Sequence, residues 1–182
     1  MVNIYELKLT NLQQRILRLL FVRSGNLLNA LNVAKALKVS QPAVSKALPV
    51  LIKNDLIKVE KDKDSGRLSI ELNRENHKVM QLKRADNIKM VYESEFADFL
   101  GKEFAGATII LFGSYSRGDD TNTSDIDIAI IGRKNKLIHL EKFETILERK
   151  ININFYNSFK DIHKNLKENL FNGIVLYGGV EL

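Results

Sequence analysis

One stretch of the chain limits its fold more than any other. Leu111-Phe112-Gly113-Ser114-Tyr115-Ser116-Arg117-Gly118 is followed by Ser124-Asp125-Ile126-Asp127-Ile128-Ala129-Ile130. An apolar strand breaks into Gly-Ser, a polar loop follows, and two aspartates sit two apart in a second apolar strand. Strand side chains alternate faces, so Asp125 and Asp127 point the same way. Two carboxylates on one face repel unless a cation lies between them. Their hard oxygens suit Mg²⁺, which keeps waters and takes nucleotide phosphates as further ligands. Gly113 allows close backbone approach, Ser114 offers a hydroxyl, and a helix start there would supply N–H groups to phosphate. Arg117 adds a charge-assisted donor. An ordinary turn with two solvated aspartates is the plainer alternative. It fits poorly, because Asp127 lies within a run of isoleucines that reads as buried, where an unpaired carboxylate is costly.

The Gly-Ser-x-x-x-Gly element (Gly113, Ser114, Gly118) with Asp125-Ile126-Asp127 resembles the nucleotidyltransferase superfamily that includes DNA polymerase beta, in particular its minimal members. The resemblance implies that Asp125 and Asp127 are catalytic and hold Mg²⁺ or Mn²⁺, and that Gly113, Ser114 and Arg117 bind an NTP. Around the motif, strands are predicted at Ala107–Phe112, Asp125–Ile131, Lys150–Tyr156 and Ile174–Tyr177. Helices are predicted at Leu137–Leu147, with Leu137 facing inward, and at Phe159–Leu170. That order suits a small sheet with packed helices.

Active members of the superfamily usually draw a third carboxylate from the strand after the helix. Here that strand reads Lys150-Ile151-Asn152-Ile153-Asn154, and Asn152 takes the place. An amide can offer a carbonyl oxygen to a metal but takes no proton at neutral pH. Glu148 has the right parity but lies earlier. Lys150-Ile151-Asn152 and the closing Ile174-Val175-Leu176-Tyr177-Gly178 resemble winged-helix proteins fused to a minimal nucleotidyltransferase domain, in which Asn is common at this place.

The N-terminal half carries the other part of that likeness. Thr10 or Asn11 caps a helix with Leu12, Ile16, Leu19 and Leu20 at helical spacing. A short helix covers Leu31–Leu37, and Ser40 caps a third, with Pro42 in its first turn. Val44, Ala47, Leu48 and Leu51 face inward; Gln41, Ser45 and Lys46 lie towards the other face. Pro49 predicts a kink or break. Leu56–Lys61 and Arg67–Leu72 read as a hairpin. Three helices and a hairpin resemble a winged helix-turn-helix domain, which implies DNA contact through Gln41, Ser45 and Lys46 on the third helix and Lys63 and Arg67 on the wing. Glu75–Gly101 reads as helix, with Val79, Leu82, Ile88, Tyr92, Phe96 and Phe99 as its stripe and a break at Asp86 or Asn87.

The expected architecture has two domains, α+β and α/β. Residues 1–74 form a winged helix-turn-helix DNA-binding domain, 75–101 a helical connector, and 102–182 a small mixed sheet with helices in the nucleotidyltransferase fold. Charge divides along the same line. Residues 1–84 hold 16 Lys and Arg against 7 Asp and Glu, while residues 85–182 hold 12 against 15. A basic first half fits nucleic acid. No cysteine is present, so disulfide and thiolate sites are excluded. No apolar run reaches the ~20 residues of a membrane span, and the N-terminus does not read as a signal peptide; a cytoplasmic protein is expected.

Two functions remain open at this point. One is Mg²⁺-dependent transfer of NMP from an NTP to an acceptor, with release of pyrophosphate, tethered to DNA by the winged helix. The other is a nucleotide-responsive transcription regulator, or an antitoxin-like protein paired with a neighbouring protein, in which Asn152 leaves the domain weakly active or inactive. By analogy with winged-helix regulators a homodimer is expected.

Overall fold

The computed structural model describes residues 8–61 and 68–180. Lys63 and Arg67 lie outside the described residues. The chain divides into two units, the first ending at Val79 and the second starting at Met80.

Polar side chains fix the helix starts of the first unit. Helix α1 (Asn11–Val22) opens on a capping box: the Thr10 hydroxyl accepts from Gln13 N at 3.3 Å, and Gln13 Oε1 accepts from Thr10 N at 2.8 Å. Asn29 and Asn32 repeat this reciprocal pair at α2 (Ala30–Leu37). Ser40 caps α3 (Gln41–Lys53) through Ala43 N. Strand β1 (Leu28–Asn29) precedes α2, and β2 (Ile57–Lys61) and β3 (Leu68–Leu72) follow α3. The three strands form an antiparallel sheet in the order β1-β3-β2, with Val59 opposite Ile70 and Leu28 opposite Ile70 on the other side. Ile16, Leu20, Val33, Val44, Leu51, Leu56 and Ile70 are buried at the centre. Three helices and a hairpin carrying a short third strand make a winged helix. Two residues too short to show alternation, β1 gave no signal in the sequence.

Pro49 does not break α3, which continues to Lys53. Its ring is exposed, while Leu48 and Leu51 on either side are buried. Packing on that face holds the helix through the missing hydrogen bond. Asn54 closes the end, donating from both its backbone N and its Nδ2 to Val50 O.

Helix α4 (His77–Glu93) belongs to the second unit from Met80 onward, and α5 (Phe96–Glu103) follows it. The expected break at Asp86 or Asn87 is absent. Asn87 is buried and hydrogen-bonded as part of the helix, and the turn comes at Ser94–Glu95, where Glu95 takes φ +62°. Tyr92 is exposed rather than part of the inner stripe, which runs through Val79, Lys83, Asn87 and Val91. Strand β4 (Thr108–Phe112) leads into the one-turn helix α6 (Gly113–Arg117), then β5 (Ile126–Ile131), α7 (Glu141–Leu147), β6 (Ile151–Tyr156), a 3₁₀ turn Phe159–Asp161, α8 (Lys164–Phe171) and β7 (Ile174–Tyr177). The helix expected from Leu137 starts only at Glu141, and Leu137 is 89% exposed. The helix expected over Phe159–Leu170 is split at Ile162–His163; the buried Ile162 takes extended backbone there.

The sheet is mixed, in the order β6-β5-β4-β7; β5 runs parallel to β6, and β4 is antiparallel to both β5 and β7. Strand alternation gives it two faces. Ile109, Leu111, Ile126, Ile128 and Ile130 pack with Val91, Phe96, Leu100, Phe143 and Leu147. Ile110, Phe112, Ala129 and Ile131 pack with Ile162 and Leu170. Among the described residues no helix is long and apolar enough to cross a membrane.

Candidate functional site

Register builds the site. Phe112 pairs with Asp127 across β4 and β5, and Asp127 pairs with Asn152 across β5 and β6. Alternation sets Asp127 on the face of Ala129 and Ile131, at the end of the sheet where β4 turns into α6. Asp125 lies just ahead of β5 and is exposed, whereas Asp127 is half-buried. Asn152 Nδ2 donates to Asp125 Oδ2 at 3.0 Å and to Asp127 Oδ1 at 3.5 Å. Ionised carboxylates only accept, so the amide nitrogen is the end that must face them.

Gly113 fits this site as no other residue would. It has φ +76°, and a Cβ built there would lie 2.5 Å from Asp127 Oδ2. Backbone thus approaches carboxylate directly. Burial raises the pKa of Asp127; the Asn152 bond opposes the rise and the charge of Asp125 adds to it.

The structure brings Gly113, Asp125, Asp127 and Asn152 together. Ser114, half-buried, is the second residue of α6. Arg117 is exposed at the end of that turn and pairs with Asp119 at 2.8 Å. Gln41, Ser45 and Lys46 are exposed on α3. Glu148 caps α7 at φ +51° and is not on β6. Glu144 instead receives Ile151 N at 3.1 Å and Lys150 Nζ at 3.0 Å, fixing the start of β6. Those two bonds hold the Glu144 pKa below its usual value. A cleft of about 580 Å³ opens beside Asp125, lined in part by Thr123, Ser124, Thr145, Glu148 and Lys150.

The donor set fits a divalent cation of the hard, oxygen-seeking kind. Two carboxylate oxygens converge on one point, where the Asn152 amide hydrogens now supply positive charge. A rotation of the amide about its terminal bond would turn its carbonyl oxygen to that point. Among the described residues no cluster of three or more His, Cys, Asp or Glu could hold a metal. A cation held by the two aspartates would have coordination positions left for Asn152, water and ligand phosphate, the arrangement Mg²⁺ prefers.

Sequence reasoning missed the polar group behind this site. Lys83 and Asn87 on α4, Asp120 in the loop before β5, and Arg149 ahead of β6 are all buried and bonded to one another through Asp120. A signal was present. Val79, Lys83, Asn87 and Val91 repeat every four residues, so two polar residues interrupt an apolar stripe.

Residues 93–177 match the family model described as the Nucleotidyltransferase domain. The mixed sheet and helices of the second unit match a nucleotidyltransferase domain. Forty residues are 55% identical to the candidate protein adenylyltransferase MJ0604 of Methanocaldococcus jannaschii, covering 21% of this chain and 40% of that one. Sixty-four residues are 42% identical to the transcriptional regulator AdcR of Streptococcus pyogenes, covering 35% of this chain and 42% of that one. The chain thus spans about two fifths of the length of each of these relatives. The crystal structure of AdcR from the same organism superposes with a TM-score of 0.42 at 27% identity, over 57% of this chain and 72% of that one. The winged helix of the first unit and the segment that matches the nucleotidyltransferase model lie in one polypeptide.

Proposed function

We propose that the chain is a metal-dependent nucleotidyltransferase carried to DNA by its winged helix. It would move NMP from an NTP to an acceptor hydroxyl. The acceptor hydroxyl gives its proton to water as its oxygen bonds to the α-phosphorus, the bond from that phosphorus to the bridging oxygen breaks, and pyrophosphate leaves. The observation that carries this reading is the row Gly113, Asp127 and Asn152, with Asp125 sharing the Asn152 amide. Asp125 and Asp127 would hold Mg²⁺ or Mn²⁺, with Asn152 as an optional third ligand. When bound, the metal supplies positive charge against the phosphates. Gly113 and Ser114 would meet the β- and γ-phosphates, and Arg117 would exchange Asp119 for a phosphate oxygen. The adenylyltransferase relative supports ATP as donor and a protein side chain as acceptor.

Gln41, Ser45 and Lys46 are exposed together on α3, which supports their contact with DNA. The regulator relative and the basic charge of residues 1–84 support the same role, with Lys63 and Arg67 adding wing contacts. By analogy with winged-helix regulators, a two-fold dimer would read paired half-sites.

One observation favours a second reading, in which the domain binds nucleotide, turns over little, and reports occupancy to the DNA-binding unit. Asn152 stands where a carboxylate would accept the acceptor's proton, and it donates to both aspartates instead. Incubation with α-labelled NTPs and Mg²⁺ or Mn²⁺, with the protein itself, RNA and lysate as acceptors, separates the two. Label transfer that disappears in Asp127→Asn supports the transferase. Saturable NTP binding without transfer, together with an NTP-dependent change in DNA affinity, supports the regulator. A chain that binds no NTP would contradict both.

A further inference from the structure

The loop joining α6 to β5 is anchored by one buried carboxylate. Asp120 is fully buried. Its Oδ1 accepts from Lys83 Nζ and, at 2.7 Å, from Asn87 Nδ2, both on α4. Its Oδ2 accepts from Arg149 Nη2 at 3.3 Å, at the entry to β6. Lys83 is fully buried too, and Arg149 is 6% exposed.

Helix α4 also holds the α6 turn by its main chain. Asn87 Nδ2 donates to Tyr115 O at 2.9 Å, and Arg84 Nε to Ser116 O at 3.0 Å. Gly118, at φ +81°, lies against the helix backbone; a Cβ there would stand 2.8 Å from Met80 O and 2.9 Å from Arg84 N. The segments bearing Gly113, Ser114, Asp125 and Asn152 are therefore tied to α4 or to Asp120. The Gly113–Arg117 turn is held through its carbonyls, Asp125 follows the Thr121–Ser124 turn that leaves Asp120, and Asn152 follows Arg149 on β6.

Stability alone gives little reason for this group. A buried ion pair contributes about as much as well-packed apolar side chains of the same volume, or less, whereas its directional bonds fix geometry. We propose that Lys83, Asn87 and Asp120 are positioning residues that set the phosphate-binding turn against Asp125 and Asp127. This rests on the proposed role of that site. Both single charge removals strand a buried partner, so the test uses the double variant Lys83→Met, Asp120→Asn, which removes both charges of that pair and keeps one carbonyl acceptor, for Asn87 or for Arg149, while Arg149 retains its bond to Glu148 O.

The full-length double variant should melt cooperatively. Its amides over residues 113–120 should exchange hydrogen faster than wild type while β4 and β5 keep their protection. Its ATP affinity by calorimetry with Mg²⁺ should fall about tenfold or more, as expected for misplaced binding groups. In a transfer assay KM for ATP should move more than kcat. Unchanged exchange and unchanged ATP affinity in a folded double variant would overturn the proposal. If that variant does not fold, Asn87→Ala removes the bonds to Tyr115 O and Asp120 Oδ1; it should show the same changes, smaller, and wild-type behaviour in it overturns the proposal equally. A wild-type chain that binds no ATP defeats the proposed function, while the exchange rates still decide whether α4 and Asp120 order the turn.

Discussion

Asp127 carries opposed demands. Burial and the charge of Asp125 raise its pKa, with the Asn152 bond pulling the other way. An acid whose pKa is raised by folding holds its proton more tightly in the folded state. Its contribution to stability is therefore fully present below the unfolded carboxylate pKa and is lost as pH rises through the raised value. At pH 7 the ionised group is a cost that a cation would relieve. Asp127→Asn should raise the melting temperature of the metal-free protein by roughly 1–3 °C at pH 7 and should abolish the rise that Mg²⁺ gives wild type. Melting curves with and without Mg²⁺ check both, and an equal response of the variant to Mg²⁺ would remove Asp127 from the metal site. Two glycines make a matched pair of probes. Gly113→Ala meets the Asp127 carboxylate as well as a strained φ, while Gly132, at φ +86°, has nothing within 4 Å of an added Cβ. Gly132→Ala should cost about 1 kcal/mol from backbone strain alone, and Gly113→Ala should cost more and weaken nucleotide binding. Urea titration and calorimetry on the two variants check the contrast.

At the scale of elements, α3 offers the clearest test. Its proline is exposed and lacks the hydrogen bond that any other residue would make. Pro49→Ala should stabilise the protein by about 1–3 kcal/mol, read as a shift in urea midpoint with unchanged slope; a loss of stability would mean that the proline shapes the helix. The sequence announces α3 through Ser40 and Pro42 and a regular inner stripe, and the hairpin through alternation of Leu68, Ile70 and Leu72. It misleads where tertiary contacts outvote local pattern. Pro49 looks like a stop but sits on the solvent face. Asn87 looks like a break but is a buried donor to Asp120 and Tyr115. Leu137 and Leu140 look like a helix face, yet the helix waits until Glu141. For the site itself, Asp125, Asp127 and Gly113 are legible because alternation and a Gly-Ser break are local patterns. Lys83 and Asp120 meet only after folding, across a separation no local periodicity reports.

Over the whole molecule, the two units carry charge of opposite sign, with the basic share at the winged helix. If that unit binds DNA, log affinity should fall linearly with log salt, by roughly 0.9 for each phosphate neutralised. Lys46→Ala should reduce that slope by about 1 if Lys46 meets a phosphate; fluorescence anisotropy over a salt series measures both, and an unchanged slope would exclude that contact. The bridging amide of Asn152 bears on the behaviour of the molecule as a whole. Because the protein supplies its own donor between the two aspartates, the fold does not wait for an ion to be complete. A cation at the proposed site would enter by exchange with a hydrogen bond already made, and its loading would be reversible and separable from folding. Chelators should then strip the protein without denaturing it, unlike domains whose folding free energy is metal binding. If the proposed site takes an ion, the chain would fold first and acquire it afterwards, when ion and nucleotide arrive together.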